Sequence, residues 1–128
     1  MSEPLFHIAS AAIWARPGDS YVPADFAREG FIHCSTRAQV MRVADRLFRG
    51  RPDLVLLMID VERVDAPVRY ENLEGGAELF PHVYGALPRT AVLAVEPLRA
   101  LSNGAFDPAS VERCLAQTGR WPLREARE

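Results

Sequence analysis

The stretch DLVLLMIDV, residues 53–61, sets an unbroken apolar run from Leu54 to Ile59 between two aspartates. Its short length, just after Gly50-Arg51-Pro52, predicts a strand, and the lack of polar alternation predicts that both faces of that strand are buried. A strand of this kind lies in the middle of a sheet and needs other elements packed above and below it. The rest of the chain is read as what surrounds this spine.

Upstream, LFHIAS (5–10) is an apolar run carrying His7 and reads as a strand, and Ser10 is placed to cap the helix suggested by AAIWA. RPGDSYVP (16–23) is turn chemistry, and ADFARE (24–29) is a short helix stopped by Gly30. GFIHC (30–34) reads as a strand running into a helix that starts at Ser35 or Thr36, where the spacing from Thr36 to Gln39 fits a capping box. Val40, Val43, Leu47 and Phe48 continue at helical spacing, with Arg42, Asp45, Arg46 and Arg49 turned outward and Gly50 as the stop.

Downstream, PVRYENL (67–73) alternates as a half-buried strand, EGGA is a turn, and ELFPHVYG (78–85) is an apolar run whose Pro81 implies an edge or a bend. TAVLAVEPL (90–98) is a further strand, SNGAFDP a loop, and ASVERCLAQTG (109–119) a closing helix with Asp107 as its cap. The expected architecture is one α+β domain over residues 1–128, with a mixed, mostly antiparallel sheet and flanking helices.

Composition narrows the function classes. With 128 residues, 48% of them hydrophobic, the chain can enclose one core. A net charge of −2 and the lack of a basic run do not support a nucleic-acid partner, and no stretch is long and apolar enough for a membrane span. The expected location is cytoplasmic. Cys34 and Cys114 are far apart with no CxxC pair, so neither a disulfide framework nor a zinc site is indicated, and no metal is expected.

The candidate chemistry lies in the three histidines. FHIAS and IHCST each place a histidine near the end of a strand with a hydroxyl, Ser10 or Ser35, shortly after it at a helix start. Such strand ends gather side chains and free backbone N–H groups at one sheet edge. His82 joins them, with Tyr84 two residues on and so on the same strand face. A histidine in a small domain is as often a hydrogen-bonded structural residue as a catalyst, but three idle ones are less expected than one. Cys34 next to His33 points to the opposite strand face and reads as a buried small hydrophobe. Among the acids Glu29, Glu71, Glu74 and Glu78, Glu71 stands out, because it lies in a predicted strand ahead of a Gly-Gly loop where a carboxylate can face a cleft. Tyr21 and Tyr84 are candidate stacking surfaces, with Trp14, Tyr70 and Phe80 behind them.

EGFIHCST, the helix after it, the strand ending in Asp60, YENL and ELFPHVYGALP together resemble a family of small bacterial and plant proteins catalogued as domain of unknown function 952. The likeness runs from His7 to about Leu98 and leaves out the C-terminal helix. It implies an ADP-ribosyltransferase-like fold, in which split sheets enclose a cleft for NAD. FHIAS is similar to the YHGT-like motif of RNA 2′-phosphotransferases and FIHCS to their VHLS-like motif, so the resemblance puts His7 and His33 in the first two signature positions. Glu71, Glu78 and His82 are eligible for the third. Ile8-Ala9 stand where those enzymes have a glycine, and no basic RNA-binding region precedes His7. The reading is therefore an enzyme that transfers or releases ADP-ribose from NAD. In it His7, His33, Glu71 and His82 are catalytic, and Ser10, Tyr21, Ser35 and Tyr84 hold the cofactor. The alternative is a noncatalytic module of the same fold that binds a small anionic or nucleotide-like ligand or a protein.

Overall fold

In the computed structural model, residues 3–73 and 75–119 are described. Glu74, a sequence candidate, lies outside them. The spine is strand β4 (Leu54–Ile59), flanked by β1 (Leu5–Ser10) and β8 (Val92–Pro97) in the antiparallel order β1-β4-β8. Alternation along β4 feeds two cores. Leu56 and Met58 pack with Phe6, Val40, Phe106 and Leu115 on one face, while Leu57 and Ile59 pack with Leu5, Ile32, Val83 and Leu87 on the other. The doubly buried strand expected from DLVLLMIDV is therefore present, and it lies at the centre of its sheet.

A second sheet, in the order β3-β6-β5, joins β3 (Ile32–His33), β6 (Phe80–Val83) and β5 (Val68–Glu71). A two-residue pair, β2 (Ser20–Tyr21) with β7 (Leu87–Pro88), closes one end. Every pairing between these strands is antiparallel, so the mixed sheet expected from the sequence has no parallel member among the described residues. The turn expected across residues 16–23 contains β2, a strand too short to carry a period of its own.

The helices are α1 (Ala11–Trp14), α2 (Phe26–Glu29), α3 (Val40–Leu47) and α4 (Ser110–Thr118). Ser10 caps α1 by accepting from Ile13 N–H. Gly30 ends α2 in the left-handed region at φ 82°, which a side chain would strain. Of the capping box expected at Thr36, only the glutamine arm forms, with Gln39 Oε1 accepting from Thr36 N–H. Regular helix begins at Val40, later than expected. Asp107 works one turn ahead of α4, accepting from Ala109 N–H.

Pro81 is not at an edge, because β6 is the middle strand of its sheet. The middle position holds because Cys34 N–H donates to Pro81 C=O at 3.0 Å, while proline has no N–H to return the bond. The β3–β6 ladder therefore stops at His33–His82. The chain then crosses to the other sheet, where Ser35 and Phe6 exchange two backbone hydrogen bonds of 2.8 Å. This isolated bridge follows the end of β3, and among the described residues no strand pairs with the rest of that edge of β1. None of the helices among the described residues is long and apolar enough to cross a membrane.

Candidate functional site

A cleft of about 820 Å³ follows the open edge of β1, with α3 along one wall and the second sheet along the other. His7, His33, His82, Glu71, Ser10, Ser35 and Tyr21 all line it. Phe6 bonds outward to Ser35, so by strand alternation Ile8 also turns its N–H and C=O toward this edge.

His7 is buried, and both its ring nitrogens are engaged. Nδ1 lies 2.6 Å from the His33 carbonyl, an acceptor, so Nδ1 carries the hydrogen. Nε2 then accepts from the Tyr21 hydroxyl at 2.7 Å. Burial lowers the His7 pKa from 6.5 to about 4, which keeps the ring neutral and this tautomer fixed. Burial also pushes the Tyr21 phenol well above the usual tyrosine range. The Tyr21 ring is 3% exposed and packs against His7 and edge-on against Trp14. Tyr21 therefore offers the cleft a hydroxyl oxygen with its proton turned away, where the sequence suggested a stacking face.

The opposite wall holds a carboxylate and an imidazole. Glu71 Oε1 accepts from His82 Nδ1 at 2.8 Å and from the Tyr84 hydroxyl at 2.6 Å. These two donors, Tyr84 first, hold the Glu71 carboxyl below the usual carboxylate range. A carboxylate only accepts, so Nδ1 of His82 carries a hydrogen. The His82 Nε2 has no protein partner among the described residues. The ring is stacked on Phe31, with centroids 4.3 Å apart, and lies edge-on to His33 at 5.3 Å. Tyr84 bonds Glu71 from behind and does not line the cleft. Phe31, which fixes the His82 plane, was not among the sequence candidates; in an apolar strand it looks like any other core aromatic.

His33 sits at the mouth, its side chain 46% exposed, donating Nε2–H to Glu29 at 3.0 Å. With Asp25 these two place ligand-type atoms within 4.8 Å of one another. The Arg28 guanidinium already lies 3.3 Å from Glu29 and 3.7 Å from Asp25, so the carboxylates have a cation beside them. Cys34 is buried on the cleft floor, and desolvation pushes its thiol up to about 12, which leaves no thiolate for nucleophilic chemistry near neutral pH.

On the α3 wall Arg42 and Arg46 are exposed, as their outward spacing predicts, and with Arg51 they also line the cleft. Glu78, eligible as a third signature residue, is held in a bidentate pair by Arg42 at 2.9 and 3.1 Å.

The pattern of the family described as "Protein of unknown function (DUF952)" matches residues 8–95. Among solved structures, the crystal structure of protein CC0527 from Caulobacter crescentus is similar at 30% identity and a TM-score of 0.72, covering 81% of this chain and 93% of that one. The solution NMR structure of CC0527 is similar at a TM-score of 0.70, with the same identity. No curated protein matches.

Proposed function

Because the chain belongs to the DUF952 family, whose function is unknown, its role rests on the chemistry of the cleft, and we propose that it binds NAD and breaks the nicotinamide glycosidic bond, transferring or releasing ADP-ribose. The observation that carries this reading is that a neutral His7–Tyr21 pair and an anchored Glu71–His82 pair converge on one cleft.

The residues present fit the ligand. Ile8 presents an adjacent N–H and C=O across the open β1 edge, the complement of a primary carboxamide. The Tyr21 oxygen, its proton committed to His7, accepts from a ribose hydroxyl. NAD supplies an ADP-ribosyl group joined to a cationic nicotinamide leaving group. As that bond weakens, positive charge grows on the ribose, and the Glu71 carboxylate, kept ionised by Tyr84 and His82, is a preorganised counter-charge. His82 Nε2, aimed by Glu71 and stacked on Phe31, is free to take the proton of an incoming water or hydroxyl. The mechanism is of the ADP-ribosyltransferase kind, in keeping with the resemblance of FHIAS and FIHCS to the transferase motifs.

Purified protein incubated with NAD is expected to release nicotinamide, and Glu71→Gln to lower the rate about 10²–10³-fold, as for loss of one preorganised electrostatic group. Absence of NAD binding at millimolar concentration overturns the reading.

One observation favours a noncatalytic binding module instead. Both nitrogens of His7 and the inward oxygen of Glu71 are already saturated by protein groups, as in a site built to be rigid. That reading predicts weakened ligand affinity in His33→Ala with no turnover in either protein. A purely structural His33 predicts a lowered melting temperature alone.

A further inference from the structure

The α3 wall carries charge that the fold uses only in part, through the Arg42–Glu78 pair. Arg42 and Arg46 are one helical turn apart and Arg51 follows the helix, and all three line the cleft in a protein whose net charge is −2. Like charges at i and i+4 disfavour a helix by a few tenths of a kcal/mol, so the row is not there for the stability of α3. A solvated helix face accounts for exposure, and the position of Arg46 in the last turn suits the helix dipole, but neither accounts for all three arginines lining the same cavity. Arg49, on the same helix end, is by contrast spent on the Asn103 carbonyl at 2.8 Å.

Two details say what the wall holds. Arg46 and Arg51 have no carboxylate within ion-pair distance among the described residues. The Arg51 guanidinium lies 5.2 Å over the Phe48 ring, a stack that fixes its plane and leaves its N–H edges free to donate. Arg42 is already occupied by an anion, the Glu78 carboxylate, gripped bidentately from the β5–β6 loop. Glu78 thus marks where an oxyanion fits, and its own carboxyl is held below the usual range, by Arg42 first and with Arg46 contributing from a distance.

We propose that the α3 wall is a phosphate-binding subsite, in which Arg46 and Arg51 grip the phosphate oxygens of the ligand and Arg42 joins them when that phosphate displaces Glu78. The subsite rests on the reading of the cleft as a ligand site and deepens it, by placing the phosphates at the helix while the glycosidic bond lies at Glu71 and His82. It also couples binding to the loop carrying Asn72 and Leu73, because releasing Glu78 frees that loop's bidentate tie to Arg42 of α3 and leaves the Gln39 amide bond to the Leu79 carbonyl at 2.9 Å.

The test is calorimetric titration of the whole protein with pyrophosphate at low ionic strength, compared with Arg46→Gln/Arg51→Gln, Glu78→Gln and the control Arg49→Gln. The double variant is expected to lose about tenfold or more in affinity, Glu78→Gln to bind severalfold tighter, and Arg49→Gln to match wild type. Equal affinities for wild type and the double variant, or no pyrophosphate binding at all, overturn the subsite. NAD titrated into the same proteins separates the two claims. Binding of NAD unaffected by the double substitution refutes the subsite and leaves the proposed function standing, whereas arginine-dependent pyrophosphate binding without NAD binding does the reverse.

Discussion

The buried, neutral His7 makes folding depend on pH in a calculable way. Its pKa is about 4 in the folded chain and 6.5 in the unfolded one, so between those values the unfolded state holds a proton that the folded state does not. Stability from this site is therefore complete above about pH 7, falls as pH drops through 6.5, and is fully lost below about pH 4. The gap from 6.5 to about 4, at ~1.36 kcal/mol per pH unit, comes to about 3 kcal/mol. The perturbation is His7→Asn, which keeps a donor and an acceptor on a side chain that does not titrate. Urea denaturation of both proteins across the acid range is the assay. Wild type is expected to lose about 3 kcal/mol more than the variant, since the other ionisable groups act alike in the two proteins. Parallel stability curves for the two proteins would refute a dry, neutral His7 and with it the fixed tautomer that turns the Tyr21 proton away from the cleft.

Further outcomes follow from packing and thiol chemistry. Cys34 and Cys114 are both buried, with thiols pushed up to about 12, so alkylation by iodoacetamide is expected only as fast as the protein unfolds; prompt labelling of Cys34 would place it open to the cleft. Gly85→Ala sets a new Cβ 2.6 Å from the Ala66 Cβ, and an overpacking cost of about 1–3 kcal/mol is expected in urea melts. Adding Ala66→Gly should recover part of that loss, and equal stability of Gly85→Ala and wild type would contradict the contact.

What could be read from the sequence followed the strength of local pattern. The β4 run, the strand carrying His7, the Ser10 cap and the closing helix each announce themselves within a dozen residues. The pairing of Ser20–Tyr21 with Leu87–Pro88 does not, because two residues carry no alternation and their partners are distant in sequence. Pro81 misled for a related reason. Its exclusion from central strands rests on a lost hydrogen bond, and here the neighbouring strand ends where that bond would fall. At the site, the three histidines and Glu71 were legible as residue types, but their partners were not. The Tyr21 hydroxyl meets His7 across fourteen positions, and nothing in RPGDSYVP predicts it. The helical spacing turned Arg42 and Arg46 outward and they are exposed, but it carries no sign that their face borders a cleft.

Residues 33 to 35 have a mechanical consequence. The His33 carbonyl holds His7, Cys34 N–H holds Pro81, and Ser35 is clasped to Phe6, so three consecutive peptide units fasten β1 to the second sheet. The bidentate Arg42–Glu78 pair and the Gln39 amide bond to the Leu79 carbonyl fasten the cleft again on its α3 side. A hollow clasped on two sides resists opening, so the spacing of its imidazoles and carboxylate is set by the fold before any ligand arrives.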